Sequence, residues 1–294
     1  MDKILITGVA GFIGSNLALK LLENENNIVY GVDNFSSSNM SNLYPLLKND
    51  RFHFEEWDLK KPYDFCSDKI YHLAGCGDLS RYYKNKYEYI LEQLEITKNI
   101  VSLTQKNGAK LILTTQNRDY SAQNKELFEY YDLLKLIEDL ILDLVSDNKL
   151  NAIFARLDYV YGKNMSQNDN RIIPKAILSA FKNEAMSEIY DESFYFTFAN
   201  DVIINLEKLM NHYSSKPIVD VINTNLYLKS DVIKLICNYI KSTSTLEIKT
   251  PEPFHPSYTT KPTTLDNGVI IECKTSVLEG ILATIQHFKL MYFS

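Results

Sequence analysis

The sequence predicts an α/β fold in which a doubly wound parallel sheet is joined to a smaller, discontinuous C-terminal lobe. Three observations support this prediction. Short apolar runs typical of strands alternate with helical patterns as far as Gly162. A glycine-rich turn joins the first strand to the first helix. Beyond Gly162, polar loops and proline-containing stretches replace the alternation and indicate an added lobe.

The predicted elements follow one another in strand–helix order. Lys3 to Thr7 is a short apolar run, and Ser15 to Asn24 carries leucines with a helical distribution. Further strands are predicted at "NIVYGVDN", "FHFEEWDL", "KIYHLAG", "AKLILTT" and "NAIFARLDYVYG", and long helices from about Lys86 to Asn107 and from about Asn124 to Asp147. Strands that alternate with helices in this way indicate a parallel sheet with crossover helices on both faces.

The second lobe is expected to be interrupted by a return to the sheet. A helix near Ile172 to Asn183 and the stretch "TPEPFHPSYTTKP" belong to the lobe, whereas about Asp201 to Tyr213 and "PIVDVIN" return to the sheet domain. We therefore expect one domain at residues 1–162 plus about 200–225, and the lobe at about 163–199 plus 226–294.

Composition and charge argue against several functional classes. The formal net charge of -6 disfavours nucleic-acid binding, which needs clustered Lys and Arg. The four cysteines lie far apart without a CxxC pair, and no run of 18 apolar residues or secretory leader is visible. The five histidines lack ligand spacing. We expect a cytoplasmic protein with a small-molecule ligand, no metal and no contact with a membrane.

The stretch "ITGVAGFIGSNL" places Gly8, Gly11 and Gly14 between the first strand and the first helix. In such a unit the glycines allow a sharp turn, close approach of the backbone to a pyrophosphate, and close packing of the helix on the strand. The second strand ends at Asp33, whose carboxylate would accept hydrogen bonds from ribose hydroxyls and repel a 2'-phosphate. The pattern therefore predicts an NAD site, with NADP disfavoured.

Together with "FIGS", this glycine spacing resembles the extended short-chain dehydrogenase/reductase family, which includes nucleotide-sugar epimerases, dehydratases, decarboxylases and ketoreductases. Further matches are "GVDNFSSS", "WDL", "YHLAG", "ARLDYVYG", "FTFANDV" and "LEGI". The resemblance implies a Rossmann-type NAD(P)-binding domain and a lobe that binds a nucleotide sugar. It implies these cofactor contacts: Gly8, Gly11, Phe12, Ile13, Gly14, Asp33, Asn34, Asp58, Leu59, Leu73, Ala74, Gly75, Tyr131 and Lys135.

The family's proton-transferring residue is a Tyr in the pattern Tyr-x-x-x-Lys. The chain has four such pairs, which begin at Tyr44, Tyr82, Tyr131 and Tyr159. Only Tyr131 and Lys135 open a long helix directly after the strand "LILTT", and "YYDLLKLIED" resembles the family's Tyr-x-x-Ser-Lys-x-x-x-Glu run with Glu138 as its last position. Residues four apart share a helix face, so Lys135 can favour the ionised phenol of Tyr131. The alternative is an ordinary buried ring and a solvated lysine.

The third catalytic residue of the family is a Ser or Thr that binds the reacting oxygen. Alignment on the strand gives Thr115, whereas counting back from Tyr120 gives Gln116. We predict Thr115 as this catalytic residue, because its hydroxyl can hydrogen-bond the reacting oxygen. Gln116 is predicted as a substrate contact. The alternative is that Thr115 only caps the following turn.

The stretch "TTQNRDYS" lacks the carboxylate that dehydratases and decarboxylases of the family carry just after this Thr. Three hypotheses remain. The first is a 4-ketoreductase of a nucleotide-linked deoxysugar in surface-polysaccharide biosynthesis. The segment between Thr115 and Tyr131 is short, and in this the chain resembles the ketoreductases of the family. The second is a nucleotide-sugar C4 epimerase that holds NAD tightly, and the third is a non-catalytic dinucleotide sensor or scaffold.

Several departures from the family concern the sugar nucleotide. Tyr159 replaces the Asn of "RxxNxYG", Gln93 replaces an Asn, and Phe194 replaces the Arg that clamps the diphosphate. We therefore predict Tyr159 as a substrate contact and Arg171 or Lys175 as the phosphate anchor.

The helix that carries Tyr131 has an apolar stripe wider than one sheet requires. The stripe consists of Leu133, Leu134, Leu136, Ile137, Leu140, Ile141, Leu144 and Val145. In the family this helix and the preceding long one pair across a two-fold axis, so we expect a homodimer.

Overall fold

The computed structural model describes residues 1–75, 79–116, 125–212, 214–254 and 259–292. Two compact units divide the chain. Unit 1 comprises residues 1–156, 206–219 and 264–271, and unit 2 comprises residues 157–205, 220–263 and 272–294. The segments 157–162, 200–205, 220–225 and 264–271 were expected in the other domain. The binding roles of the two domains stay predictions.

The described ranges contain strands of two to nine residues and α-helices of six to 22 residues. The strands are β1 (Asp2–Thr7), β2 (Asn27–Asp33), β3 (Phe52–Glu56), β4 (Lys69–His72), β5 (Lys110–Gln116), β6 (Ala152–Leu157), β7 (Val160–Tyr161), β8 (Met186–Phe194), β9 (Thr197–Phe198), β10 (Ile218–Asp220), β11 (Tyr227–Leu228), β12 (Leu246–Phe254), β13 (Thr263–Thr264) and β14 (Ile270–Ile271). The helices are α1 (Phe12–Leu21), α2 (Leu79–Lys84), α3 (Lys86–Asn107), α4 (Lys125–Ser146), α5 (Ile172–Lys182), α6 (Ala199–Asn211), α7 (Lys229–Ile240) and α8 (Val277–Tyr292).

The main sheet has seven strands in the order β10-β6-β5-β4-β1-β2-β3. Its pairings from β3 through β2, β1 and β4 to β5 are parallel. The order reverses at β1, since β2 lies on one side of it and β4 on the other. In a doubly wound sheet a ligand binds beyond the carboxyl ends of the strands at such a reversal. The predicted doubly wound α/β fold is confirmed.

The central strands are buried on both faces, as strands covered by helices must be. Ile4, Leu5 and Ile6 of β1 are at most 1% exposed. The helix α3 begins after Asn85, whose side chain accepts from the N–H of Glu88, and ends at Gly108, which has a left-handed conformation. Both ends of α3 agree with the prediction, because Asn and Gly are residue types that commonly cap the start and the end of a helix.

The helix α4 packs its apolar stripe on the same core. Leu133, Leu134 and Ile141 are buried, whereas Leu136 and Leu140 remain 47% and 49% exposed. Packing within unit 1 therefore buries only part of the apolar stripe of α4.

Unit 2 is built on a small sheet with strand order β11-β8-β12. β12 runs parallel to β8, and α5 and α7 end at Asn183 and Lys241, both in the left-handed conformation. The predicted strand "NAIFARLDYVYG" is interrupted, because Tyr159, at φ 32°, lies between β6 and β7. The run "FYFTF" leaves strand geometry at Tyr195 and Phe196.

Candidate active site

The turn between β1 and α1 has no room for side chains. Gly8 has φ +71°, and a Cβ there would lie 2.8 Å from the backbone nitrogen of Ala74. A Cβ on Gly14 would lie 2.2 Å from the carbonyl oxygen of Gly8. Gly11 precedes α1 and donates its N–H to that same oxygen at 3.1 Å. The turn therefore exposes backbone and the N-terminus of α1, which favours an anionic phosphate.

Asp33 lies at the carboxyl end of β2 and is 9% exposed. Its Oδ2 accepts from the N–H of Ala10 at 2.9 Å. Its Oδ1 accepts from the N–H of Phe35 at 2.9 Å and from the hydroxyl of Ser38 at 2.7 Å. These donors fix the carboxylate. Since an ionised carboxylate offers about four acceptor positions, one remains for a ribose hydroxyl.

The remaining predicted cofactor contacts of unit 1 lie at neighbouring strand ends or at the start of α1. Phe12 and Ile13 open α1 and are half-buried, and Asn34 follows Asp33 and is exposed. Asp58 and Leu59 follow β3, and Leu73, Ala74 and Gly75 follow β4. The N–H of Trp57 donates to the carbonyl of Asp33 at 3.0 Å, which ties the ends of β2 and β3 together.

These residues fit a dinucleotide. The tightly packed glycine turn presents backbone without side chains at the N-terminus of α1, and the carboxylate beyond β2 is held ready to accept hydrogen bonds. If NAD binds here, the start of α1 would hold its pyrophosphate and Asp33 would hold its adenosine ribose.

Behind the loop after β4 lies a buried pair, Thr7 and His72. The Thr7 hydroxyl and His72 Nδ1 are 2.8 Å apart, and the N–H of Ala74 donates to the Thr7 hydroxyl at 3.3 Å. Burial lowers the pKa of His72 to about 4, so the ring is neutral near pH 7. A neutral imidazole bonded to Thr7 joins the ends of β1 and β4.

Thr115 is 7% exposed near the end of β5, and its hydroxyl makes no hydrogen bond to any described residue. It lines a cavity of about 20 Å³. The other residues around the cavity are His72, Ala74, Gln93, Thr97, Leu113, Thr114, Leu134, Ile137 and Phe154. Gln116, the next residue, is exposed. The competing positions for the third catalytic residue thus differ in access to solvent.

Tyr131 lies at the edge of the buried face of α4, with its ring centroid 6.1 Å from that of Tyr130. Lys135 lies one turn later with its side chain 54% exposed, and its Nζ is 2.5 Å from Asp139 Oδ2. The pair shares a flank of α4. The structure does not place the Lys135 ammonium on the Tyr131 hydroxyl, and the catalytic role of the pair stays a prediction.

The last position of the family pattern needs a correction. Counted from Tyr131 and Lys135, it falls on Asp139 rather than on Glu138. Glu138 has a side chain 3% exposed and pairs with Arg156 of β6 at 3.0 Å. It therefore joins α4 to the sheet, whereas Asp139 engages Lys135.

The predicted substrate contacts of unit 2 already have partners among their neighbours. The Tyr159 hydroxyl accepts from the N–H of Ile172 at 2.9 Å, and burial raises its pKa above the usual range. Arg171 forms an ion pair with Asp169 at 2.6 Å and donates to the carbonyl of Val160 at 2.7 Å. Lys175, on α5, is exposed.

Phe194 and Phe196 surround the Tyr159 ring at centroid distances of 4.9 and 4.6 Å. Phe194, which stands where the family that the sequence resembles has an Arg, is therefore part of an aromatic cluster.

Sequence reasoning did not anticipate Ser38 or Thr7 as supports of the site. Ser38 lies five residues beyond Asp33, in the serine run "SSS". Such a run after a strand-end carboxylate is a local signal, because a hydroxyl a few residues away can turn back to donate. Thr7 gives no such signal, since its partner is 65 residues away.

Among the residues that the structure describes, no helix is both long and apolar enough to cross a membrane. Nor do His, Cys, Asp and Glu side chains in those ranges form a group of three that could hold a metal ion.

Comparison with known proteins identifies one matching family model. The model of the NAD dependent epimerase/dehydratase family, Epimerase, matches residues 4–224. Among curated proteins, UDP-glucuronic acid decarboxylase 6 of Arabidopsis thaliana is 29% identical over 234 residues, which cover 74% of this chain and 68% of that protein. UDP-glucuronic acid decarboxylase 1 of Danio rerio is 26% identical over 97% of this chain and 72% of its own.

Solved structures resemble the chain in fold. UDP-glucuronic acid 4-epimerase from Bacillus cereus, in complex with UDP-glucuronic acid and NAD, has a TM-score of 0.82 at 20% identity and covers 99% of this chain and 100% of its own. dTDP-glucose 4,6-dehydratase from Bacillus anthracis, in complex with NAD, has a TM-score of 0.82 at 16% identity, with coverage of 99% and 98%.

Proposed function

Since the chain belongs to the NAD dependent epimerase/dehydratase family, we propose that it reduces the 4-keto group of a nucleotide-linked deoxysugar. Membership confirms the resemblance inferred from the glycine motif, the prediction of an NAD-dependent enzyme, and NAD as the cofactor. The substrate, the direction of the reaction and a role in surface-polysaccharide biosynthesis are parts of the proposal.

In the proposed reaction the C4 carbonyl becomes an alcohol, with a hydride added at carbon and a proton at oxygen. Reduced NAD, when bound, supplies the hydride. Tyr131 donates the proton to the C4 oxygen, and Lys135 on the same helix flank favours the phenolate that remains. A polar side chain at the end of β5, Thr115 or Gln116, hydrogen-bonds the reacting oxygen and stabilises the charge that develops there.

One observation distinguishes this proposal from elimination or decarboxylation. The end of β5 carries the neutral residues Thr114, Thr115 and Gln116, and none of them can move a second proton at neutral pH. Asn117, Arg118 and Asp119 follow and lie outside the described residues. Asn117 and Arg118 bring no carboxylate to the next positions, so chemistry that needs only one acid/base group is favoured.

A second candidate is C4 epimerisation with NAD retained through the cycle, and Asp33 favours it. The carboxylate is buried and held by three donors at the position where NADP would place a phosphate. Because desolvated like charges repel strongly, NAD is favoured over NADP. A preference for NAD favours epimerisation, because an epimerase reduces and reoxidises the same bound cofactor in each cycle.

In unit 2 we propose Lys175 as the phosphate anchor ahead of Arg171. The charge of Arg171 is partly compensated by Asp169, with which it shares contacts of 3.0 and 2.6 Å. Lys175 is exposed on the first turn of α5, where the helix dipole adds to its attraction for an anion. Tyr159 remains a proposed substrate contact.

We also propose a homodimer through α3 and α4. Tyr87 and Leu91 of α3 are 69% and 46% exposed, and Leu136 and Leu140 of α4 are 47% and 49% exposed. Apolar side chains at this exposure on two neighbouring helices are typical of a subunit interface. A monomeric mass at micromolar concentration would contradict the dimer.

The direct test is a panel of substrates with wild-type protein. We expect oxidation of NADH with a dTDP- or UDP-linked 4-keto-6-deoxyhexose and formation of the 4-hydroxy sugar. Interconversion of C4 epimers without added cofactor would support the second candidate. Release of CO₂ from UDP-glucuronic acid would contradict both, since it would make the chain a decarboxylase like the curated relatives.

A further inference from the structure

We propose that Gln116 is the side chain that contacts the reacting sugar oxygen, and that Thr115 instead faces an internal site for one water molecule. The inference rests on the proposed function and decides between the two positions that sequence alignment leaves open.

Successive side chains of a strand point to opposite faces of the sheet. Leu111, Leu113 and Thr115 therefore share one face of β5. Leu111 and Leu113 belong to the core that includes residues of α3 and α4. Thr115 continues this row, and its neighbours around the cavity include Gln93 of α3 and Leu134 of α4. Its hydroxyl thus points into the layer between sheet and helices.

The cavity at Thr115 is too small for a sugar. Its volume of about 20 Å³ suffices for a single water, which needs about 10–15 Å³. A buried water also needs two to four polar partners. The Thr115 hydroxyl lacks a partner among the described residues, and the polar residues His72, Gln93 and Thr97 line the same cavity. A water there would satisfy the hydroxyl without any contact to substrate.

Gln116 is the last residue of β5 and is exposed, on the face opposite to Thr115. It lies at the carboxyl edge of the sheet, where a doubly wound fold binds its ligand. Its carboxamide offers two N–H donors and never changes charge. Such a group can hydrogen-bond a C4 carbonyl and stabilise the developing negative charge, while the proton still has to come from Tyr131.

Cysteine accessibility tests the orientation of the two residues without any assumption about the reaction. In a Cys66→Ser background, which removes an exposed native thiol, Gln116→Cys and Thr115→Cys are compared by labelling of the folded protein with DTNB. We expect Gln116→Cys to react at least tenfold faster than Thr115→Cys, whose thiol should react only on unfolding. Equal rates, or a faster Thr115→Cys, would overturn the proposal.

Kinetics then test the contact with substrate. We expect Gln116→Leu to lower kcat by about 10²-fold, the typical cost of one lost donor to a reacting oxygen. Gln116→Ser should recover most of that loss, because a hydroxyl again donates. Thr115→Val should cost at least tenfold less than Gln116→Leu, with a melting temperature equal to or above that of the wild type.

Controls separate this proposal from the proposed function. NADH affinity should stay within about twofold of wild type in the Gln116 variants, since no cofactor contact is removed. Thr115→Val as damaging as Gln116→Leu would overturn the assignment even when the wild type reduces 4-keto sugars. A wild type without ketoreductase or epimerase activity would refute the proposed function, and labelling would still decide which residue faces solvent.

Discussion

The cofactor turn of unit 1 and the candidate sugar contacts of unit 2 differ in what builds them. The turn is a backbone structure, since Gly8 and Gly14 exclude side chains by direct contact with backbone atoms. In unit 2, by contrast, Tyr159 and Arg171 are side chains already engaged by Ile172 and Asp169. A site made of backbone needs a fixed sequence pattern, whereas a site made of side chains can be rebuilt with other residues.

The largest expected effect separates chemistry from cofactor binding. Tyr131→Phe removes only a hydroxyl, so we expect kcat to fall by about 10²–10⁴-fold, the usual contribution of a general acid. NADH affinity should stay within about threefold of wild type, because the backbone turn and Asp33 are untouched and Tyr131 is one of fourteen predicted cofactor contacts. Kinetics and a fluorescence titration on the same preparation measure both quantities. Unchanged turnover would mean that Tyr131 is not the acid.

The second prediction concerns the ends of β1 and β4. The pKa of His72 is about 4 in the folded protein against 6.5 ordinarily. Between these values the unfolded chain binds a proton that the folded chain does not, so stability falls as the pH drops from 6.5 to 4. The loss attributable to His72 is about 3 kcal/mol.

Urea unfolding at several pH values between 4 and 7 measures this loss. His72→Asn should flatten the pH dependence, while the same change at the exposed His53 should leave the slope in place. An equal slope in wild type and His72→Asn would contradict the assignment of the acid sensitivity to His72.

The third prediction tests whether the turn is a backbone structure. Gly14→Ala puts a Cβ 2.2 Å from the carbonyl oxygen of Gly8, so the helix or the loop must move. We expect a loss of about 1–3 kcal/mol in the free energy of unfolding, as for other overpacked sites, together with loss of NADH binding. Gly11→Ala is the matched variant, because its Cβ would lie 3.1 Å from the same atom, and it should cost less stability.

The smallest expected effect lies in unit 2. Lys175→Ala should raise the KM for the nucleotide sugar by about two- to fivefold, in keeping with the weak energetics of an exposed charge. Lys182→Ala, on the same helix and also exposed, should leave KM unchanged. Equal effects of the two variants would mean that Lys175 is not the anchor.

The difference between the regions also explains what the sequence could predict. The fold around the glycine turn was predictable because the glycine spacing, the end of β2 at Asp33 and the caps of α3 are local patterns. The roles of these residues toward a cofactor stay predictions. The choice between Thr115 and Gln116 was not predictable, because it depends on which face of β5 meets α3 and α4. Counting from Tyr131 and Lys135 places the last position of the family pattern on Asp139 without any structure, whereas the ion pair of Glu138 with Arg156 of β6 was not predictable, because the two residues lie on different elements.

Titration of the purified wild-type protein with NADH and with NADPH, after denaturation of a sample to identify any retained cofactor, tests the proposed dinucleotide site. We expect NADH binding, or retained NAD, with an affinity at least tenfold above that for NADPH, because the Asp33 carboxylate, held by Ala10 and Ser38, would repel a 2'-phosphate. Preferential binding of NADPH, or binding of neither dinucleotide, would contradict this expectation.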